Sequence, residues 1–143
     1  MTKPKVLISD QMDPKAEQIF RERGCDVDVI TGKTPEELGA IIGKYDGLAI
    51  RSTTKLTKEL IEKATNLKVV GRAGIGVDNI DIPAASVKGI VVMNTPFGNS
   101  ITTAEHAIAL MFALARQLPA ADKLTQDGKW PKNDFMGVEV TGK

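Results

Sequence analysis

The stretch VVGRAGIGVDN, residues 69–79, decides the fold, because it joins an apolar strand to three glycines with an arginine among them. A strand that ends in glycines exposes backbone N–H groups at the carboxyl edge of an open α/β sheet, where ligands bind. Turned together, such donors form an anion-binding nest, and Arg72 adds a planar guanidinium beside them. The stretch therefore predicts an anion site, with a plain tight turn and an incidental arginine as the alternative.

The same glycines do not match a dinucleotide-binding fingerprint. The spacing Gly-x-Gly-x-x-Asn over residues 74–79 lacks the third glycine, and the next strand ends at Asn94 where an acidic residue is expected. The segments TGKT (31–34) and GVEVTGK (137–143) resemble parts of a phosphate-binding loop. The first has Val27 where the first glycine of such a loop belongs, and the second has neither a strand before it nor a helix after it. We expect no nucleoside triphosphate site in this chain.

Outward from this stretch, the sequence alternates short apolar runs with longer amphipathic segments. The runs are brief and mostly rich in Val and Ile, as strands buried on both faces of a parallel sheet should be. They cover residues 5–9, 25–30, 47–51, 67–71 and 90–94.

Helix-start signals lie between these runs. Asp13 before Pro14 is typical of an N-cap followed by proline at the first helical position. Thr34 and Glu37 have the spacing of a capping box. Strand–helix–strand repeated four times predicts an α/β fold with a flavodoxin-like parallel five-stranded sheet of order 2-1-3-4-5, flanked by helices.

Polar residues follow three successive strands of this predicted sheet. Strands 3 and 4 are neighbours in the predicted order, so we expect Arg51 and Arg72 side by side at one edge. Two guanidinium groups, with hydroxyls and free N–H groups beside them, suit a carboxylate or a phosphate. The predicted substrate-binding residues are Arg51, Ser52, Arg72, Gly74, Gly76, Asn99 and Ser100.

The last third of the chain differs from the rest. The segment SITTAEHAIALMFALARQLP (100–119) begins with the capping-box pair Thr102 and Glu105 and is then apolar almost all round. A helix without a polar stripe is buried on every side, so helix 102–118 is predicted to pack against a second subunit, as a homodimer, or against another domain. The polar residues after it have no clear period. The predicted organisation is a substrate-binding core over 1–98, a crossover or interface helix over 99–119, and an arm over 120–143.

The composition is typical of a globular cytoplasmic protein. Nineteen basic and eighteen acidic residues give a net charge of +1, with no basic block for nucleic acid or an anionic membrane. Cys25 is the single cysteine, which fits a reducing compartment. His106 follows Glu105, but adjacent helical residues point in different directions, so we expect a helix-start or interface histidine. No metal site and no catalytic residue are predicted.

Two other uses of the same fold fit less well. A phosphoacceptor receiver domain needs an aspartate at the end of the third strand, where Arg51 stands, although Asp10 suits the first strand. A flavin site needs Ser, Thr or Gly to hold the phosphate after the first strand, where the sequence is SDQMDP (9–14). Both are less favoured than the anion site.

The segments GRAGIGVDN (71–79) and NTPFGNS (94–100), with looser matches in the flanking helices and in GKWPKNDFMGVEVTGK (128–143), resemble the D-isomer-specific 2-hydroxyacid dehydrogenase family over essentially the whole chain. The resemblance implies two α/β domains around a cleft, of which this chain supplies most of the substrate domain. It also implies a phosphorylated 2-hydroxy acid as substrate and NAD as the cofactor of the full-length enzyme. The dinucleotide-binding domain and the catalytic residues are expected beyond residue 143.

The resemblance also implies roles for individual residues. Arg51, Ser52, Arg72 and Asn99 would hold the substrate's phosphate or carboxylate. The backbone of residues 74–76 would face the substrate carboxylate, with Ile75 next to the nicotinamide.

The same resemblance gives Lys132 a basic position that reaches the site of a partner subunit, where a lysine keeps the charge but loses the planar fork of an arginine. The expected function is the substrate-binding part of an NAD-dependent oxidoreductase, inactive alone and binding NAD weakly. The alternative is a non-catalytic anion-sensing or dimerising flavodoxin-like module.

Overall fold

In this computed structural model the chain divides into two units, Met1–Gly98 and Asn99–Lys143. Five short strands form one parallel sheet in the first unit. The structure describes residues 2–142. The strands are β1 Lys5–Ile8, β2 Asp26–Val29, β3 Gly47–Ile50, β4 Val69–Arg72 and β5 Val91–Asn94. Their order is β2-β1-β3-β4-β5, which confirms the predicted α/β topology.

Helices connect these strands as the start signals predict. They are α1 Pro14–Glu22, α2 Pro35–Ile41, α3 Lys58–Lys63 and α4 Ile82–Val87, with a 3-10 turn at Ile42–Lys44. The Asp13 side chain accepts the Lys15 N–H at 2.8 Å. Thr34 and Glu37 form the reciprocal capping box. The hydrogen bond from the Thr34 backbone, with a second from Lys33, lowers the pKa of the Glu37 carboxyl.

The larger core lies on the face of the sheet that α2, α3 and α4 cover. Successive strand residues point to opposite faces, so alternate positions of β1, β3 and β4 contribute to it. Burying a Leu or Ile side chain stabilises the fold by about 1.5–3 kcal/mol. The largest fully buried side chains are Leu7, Ile42, Ile50, Leu56, Ile61 and Val70.

The opposite face is covered over only part of its width. Phe20 of helix α1, with Met12 from the loop before that helix, packs against a small cluster of Ile8, Val27 and Ala49. Further across the same face, Ala49 pairs with Gly71 and Gly71 with Met93. Met93 is 53% exposed. Strand β5 therefore leaves the Met93 side chain about half exposed on this face.

The second unit contains α5 Ser100–Ala115, α6 Leu118–Gln126 and a 3-10 turn at Lys132–Asp134. Helix α5 begins two residues before Thr102, and its N-cap Asn99 makes no side-chain capping bond, so the predicted Thr102–Glu105 capping box is wrong. None of the residues of α5 is buried. This chain does not itself supply the predicted burial of helix 102–118, and the crossover role of that helix stays a prediction.

The arm predicted over residues 120–143 contains most of α6, which sequence periodicity did not indicate. Gln117 adopts the left-handed conformation with φ 52°, which separates α6 from α5, and Pro119 lies in the first turn of the new helix. Proline is compatible with that position because its missing N–H would have no helical partner there. Among residues 2–142, no helix combines the length and the apolarity that crossing a membrane requires.

Candidate functional site

The loops that follow β3, β4 and β5 meet at the carboxyl edge of the sheet. Arg72, the last residue of β4, pairs with Ile50 of β3 on one side and with Asn94 of β5 on the other. Arg51 therefore follows the ladder position opposite Arg72, as the predicted strand order requires. In open α/β sheets this edge is the ligand-binding edge.

The glycine turn after β4 has its carbonyl groups engaged by the protein. The Gly74 carbonyl accepts the Thr95 N–H at 3.0 Å, the Ile75 carbonyl accepts Asn94 Nδ2 at 2.6 Å, and the Gly76 carbonyl accepts Arg72 Nη1. The N–H groups of Ile75 and Gly76 have no hydrogen-bond partner within residues 2–142. A turn with bound carbonyls and free N–H groups offers donors to an anion, which is the composition of a nest.

Glycine is required at position 76 by close approach. A Cβ there would lie 2.8 Å from Asp78 Oδ1 and 2.9 Å from Arg72 Nη1. The Asp78 side chain is 85% exposed and has room to move, whereas the Arg72 side chain is only 12% exposed. A side chain at position 76 would therefore press on the guanidinium that lies beneath the turn.

The turn after β3 is held at both of its ends. Asp10, 4% exposed, accepts the Arg51 N–H at 2.6 Å, the Thr54 N–H at 3.1 Å and the Thr54 hydroxyl at 2.7 Å. Asn79 Nδ2 donates to the Arg51 carbonyl at 2.8 Å and to the Thr54 carbonyl at 2.6 Å. In the part of the chain that the structure describes, the N–H groups of Ser52 and Thr53 have no partner.

The two predicted arginines have adjacent main-chain positions but different side-chain contacts. Arg51 is exposed, and its Nη1 lies 3.5 Å from the Gln11 carbonyl. Arg72 turns into its own loop, where Nη1 contacts the Gly76 carbonyl and lies 3.4 Å from Asp78 Oδ1. The two side chains were expected side by side, but they share no hydrogen-bond partner. The reason is that the glycine turn offers the Arg72 guanidinium a nearby acceptor, the Gly76 carbonyl.

Arg72 retains a donor that the described residues leave unused. Its Nε is buried and has no hydrogen-bond partner among residues 2–142. A buried donor without a partner costs about 1–3 kcal/mol. An added Cβ at Gly74 would lie 3.6 Å from this Nε, so the guanidinium lies against the glycine turn.

Three of the predicted residues belong to the second unit. Asn99 is the N-cap of α5, Ser100 is its first residue, and both are exposed. Lys132 is exposed in a 3-10 turn and lines a cavity of about 380 Å³ with Trp130, Arg116 and four other residues of that unit. Their participation in the site of the first unit stays a prediction.

The residues of this chain do not fit a dinucleotide. The glycine turn is separated from α4 by residues 77–81, so the helix does not begin at the turn as a pyrophosphate site needs. Strand β5 ends in Asn94, which holds the Ile75 carbonyl and is not an acidic ribose ligand. For metals, residues 2–142 contain no group of three or more His, Cys, Asp or Glu side chains that could hold an ion.

Sequence reasoning missed four residues that build this edge: Asp10, Asn79, Asn94 and Thr95. Asn94 ends β5 and Thr95 follows it, Asp10 lies two residues past β1, and Asn79 lies in the loop after β4. The sequence signal that could have identified these residues is therefore their position at or after the end of a strand. The sequence indicates Asp10 only as a receiver-domain feature, because its hydrogen-bond partners lie 41 and 44 residues away.

The fold thus defines an open α/β domain with unpaired N–H donors at its carboxyl edge. The family model of the D-isomer specific 2-hydroxyacid dehydrogenase catalytic domain matches residues 6–138. The chain belongs to this family.

Curated relatives and solved structures agree with the match. Proteins named D-3-phosphoglycerate dehydrogenase from Archaeoglobus fulgidus and from Homo sapiens are 51% and 48% identical over 139 residues, which is 97% of this chain. The chain spans 26% of the length of these curated relatives.

Among solved structures, the cofactor (NAD+) bound 3-phosphoglycerate dehydrogenase of Entamoeba histolytica superimposes with a TM-score of 0.71 at 32% identity, covering 80% of this chain and 40% of that one. A protein of Pyrococcus horikoshii gives a TM-score of 0.82 at 33% identity, covering 96% of this chain and 43% of its own.

Proposed function

We propose that this chain is the substrate-binding part of an NAD-dependent oxidoreductase that converts D-3-phosphoglycerate to 3-phosphohydroxypyruvate, the entry to serine biosynthesis. The observation that carries the proposal is the carboxyl edge of the sheet, where two turns with engaged carbonyls leave four N–H groups free beside two arginines. The names of the relatives supply the substrate class. The cytoplasm, which fits a single cysteine, is the proposed location.

The chemistry assigned to these residues is binding and orientation. The free N–H groups of residues 75–76 suit the flat carboxylate of the substrate, and Arg51 and Ser52 suit its phosphate. Two fixed ends leave the C–H bond at the hydroxyl-bearing carbon in one orientation. Orientation of this kind lowers a reaction barrier because it removes rotational freedom before the chemical step.

NAD supplies the hydride acceptor when it is bound to the whole enzyme. In this proposal Ile75 lies next to the nicotinamide, while the pyrophosphate and the catalytic groups belong to sequence outside this chain. The isolated chain is then inactive and binds NAD weakly. Detectable NADH formation from D-3-phosphoglycerate by the pure 143-residue chain would refute this part.

The test of the binding function is a titration of the chain followed by backbone amide NMR shifts. D-3-phosphoglycerate is expected to shift amides of residues 51–53 and 74–76, and NAD to shift none of them. D-glycerate, which lacks the phosphate, and inorganic phosphate, which lacks the carboxylate, are the matched ligands, and each is expected to bind more weakly. Equal shifts with all three anions would mean a general anion nest and would contradict the proposed substrate.

We also propose that helix α5 forms a homodimer interface. Its apolar side chains are exposed in this chain, and Ile101 and Leu114 are 76% and 82% exposed. An apolar patch of this extent is typical of an interaction surface. A Leu114→Glu substitution is expected to shift a dimer to a monomer in sedimentation, whereas Val87→Glu, at an equally exposed apolar position in the first unit, leaves it unchanged.

The helix surface also favours the second candidate function, a dimerising module without catalysis. Dimerisation together with no amide shift from any of the three anions would support the module over the enzyme part. A monodisperse monomer at micromolar concentration would contradict both the interface and the module.

A further inference from the structure

A buried carboxylate lies under the turn that carries the first predicted ligand, Arg51. Charged side chains are rarely buried to this degree unless hydrogen bonds satisfy them. All the hydrogen bonds that Asp10 accepts come from the 51–54 turn, and Ser9 Oγ adds a contact of 3.0 Å to the Thr54 hydroxyl. The carboxylate is therefore committed to this one turn and to no other part of the fold described here.

Asn79 completes the arrangement from the next loop. The Asp10 carboxylate accepts hydrogen bonds from the N–H groups of Arg51 and Thr54, and the Asn79 side-chain amide donates to the carbonyl groups of the same two residues. Each end of the turn is thus fixed through both of its peptide groups. The two residues between the fixed ends, Ser52 and Thr53, carry the free N–H groups.

We propose that Asp10 and Asn79 are positioning residues that hold the 51–54 turn in the form that presents the Ser52 and Thr53 N–H groups and the Arg51 side chain to the substrate's phosphate. This inference rests on the proposed function above. We call the hydrogen bonds from Asp10 and Asn79 to this turn the clamp. Charge alone would predict that the Asp10 carboxylate weakens anion binding. A carboxylate near an anion site repels the anion, so its retention beneath the turn is explained by the donors that it arranges.

The matched control is Asp46, at the opposite end of the same sheet. Asp46 accepts the Lys5 N–H at 3.0 Å from 41 residues away, the same separation that joins Asp10 to Arg51, and it also pairs with Lys68 at 2.8 Å. Asp46→Asn therefore removes a carboxylate with a comparable long-range role but without the turn. Asn79→Ala removes the other half of the clamp without changing any charge.

The first readout needs no ligand. Amide hydrogen exchange of the chain is expected to show protection at Arg51 and Thr54 that is reduced in Asp10→Asn, whose amide keeps only one acceptor oxygen, and is kept in Asp46→Asn. In Asn79→Ala, amide shifts are expected to change across residues 51–54. Urea unfolding identifies any variant that is not folded, and Asn79→Ala carries the test if Asp10→Asn is one. Unchanged protection in folded Asp10→Asn, or unchanged amide shifts in Asn79→Ala, would overturn the clamp.

The second readout is the affinity for D-3-phosphoglycerate. Asp10→Asn and Asn79→Ala are each expected to bind at least about tenfold more weakly, a factor that corresponds to roughly 1.4 kcal/mol, and Asp46→Asn within about twofold of the wild type. Tighter binding by Asp10→Asn would mean that charge repulsion dominates, and equal binding would make the clamp merely structural; either overturns the positioning role. If the wild type itself does not bind, the proposed substrate fails, and so does the phosphate-positioning role, while the exchange data still decide whether the clamp exists.

Discussion

Replacement of Arg51 by alanine separates binding from stability in this chain. The Arg51 side chain is exposed, and its contact with the Gln11 carbonyl is long, at 3.5 Å. The main-chain groups of Arg51 are held by Asp10 and Asn79, so they do not depend on the side chain. The free energy of unfolding is therefore expected to change by no more than about 0.5 kcal/mol, as for other exposed substitutions.

The effect on binding should be much larger. A hydrogen bond to a charged group contributes about 1.5–3 kcal/mol, and that loss corresponds to a Kd for D-3-phosphoglycerate about 10 to 150 times higher. Arg51→Lys is expected to fall between the wild type and Arg51→Ala, because lysine keeps the charge and loses the planar fork.

Isothermal titration calorimetry gives the Kd, and urea unfolding gives the stability of the same samples. Arg23→Ala is the matched control, since Arg23 is exposed at the end of α1 and its removal deletes the same unit of charge. The reasoning is refuted if Arg51→Ala binds within about twofold of the wild type. It is also refuted if Arg23→Ala loses as much affinity, because the effect would then be one of net charge.

Three further predictions concern stability. Thr34→Ala removes the capping box with Glu37 and should lower the free energy of unfolding by about 1 kcal/mol, while Thr34→Ser should retain most of it; equal urea midpoints for the two variants would contradict the cap. Burial, with the hydrogen bond to Asp28, raises the pKa of Tyr45 to about 12 from 10.0. The neutral phenol therefore stabilises the fold fully below pH 10, and this contribution is lost as the pH rises through 12. Absorbance titration of this single tyrosine near pH 10 in the folded chain would contradict the prediction. Leu56→Ala, at a position that is 0% exposed, should cost about 2–5 kcal/mol, and a cost below 1 kcal/mol in urea unfolding would mean that the core is looser there than the structure indicates.

The sheet could be predicted because its signals are local. Each strand is a brief apolar run, and the caps at Asp13 and Thr34 mark the helices between the strands. The bounds of the apolar runs predicted the bounds of the strands less exactly: the run begins at residue 67, whereas β4 begins at Val69. The reason is that an apolar residue just outside a strand, such as Leu67, is also buried.

Helix α6 was missed for the opposite reason. Four of its nine residues are polar, only Leu118 and Leu124 are large and apolar, and none of the nine is buried, so no strong apolar stripe with helical period marks it. The proline in its first turn was a start signal, but it stood at the end of the apolar stretch and was taken with the preceding helix. A left-handed residue such as Gln117, which separates the two helices, has no signature in sequence when it is not glycine.

The location of the site could be predicted from the sequence, but the side-chain contacts within it could not. Strand order alone brings Arg51 and Arg72 to one edge, and this placement follows from the topology. The direction of the Arg72 side chain depends on the path of the glycine turn, which brings the Gly76 carbonyl to its guanidinium. The Asp10 clamp depends on contacts across 41 to 44 residues, and no local pattern encodes such a distance.

The Asp10 carboxylate also makes the sheet sensitive to strand register. Strand β1 lies between β2 and β3, and its ladder with β3 must form between segments about forty residues apart. A slip by one residue would turn every side chain to the wrong face. A slip by two would preserve the faces but would move the carboxylate away from its donors, and a buried charge without partners costs several kcal/mol. An apolar side chain in this place would penalise that second error far less, so the aspartate acts as a check on the pairing of the central strands while the chain folds.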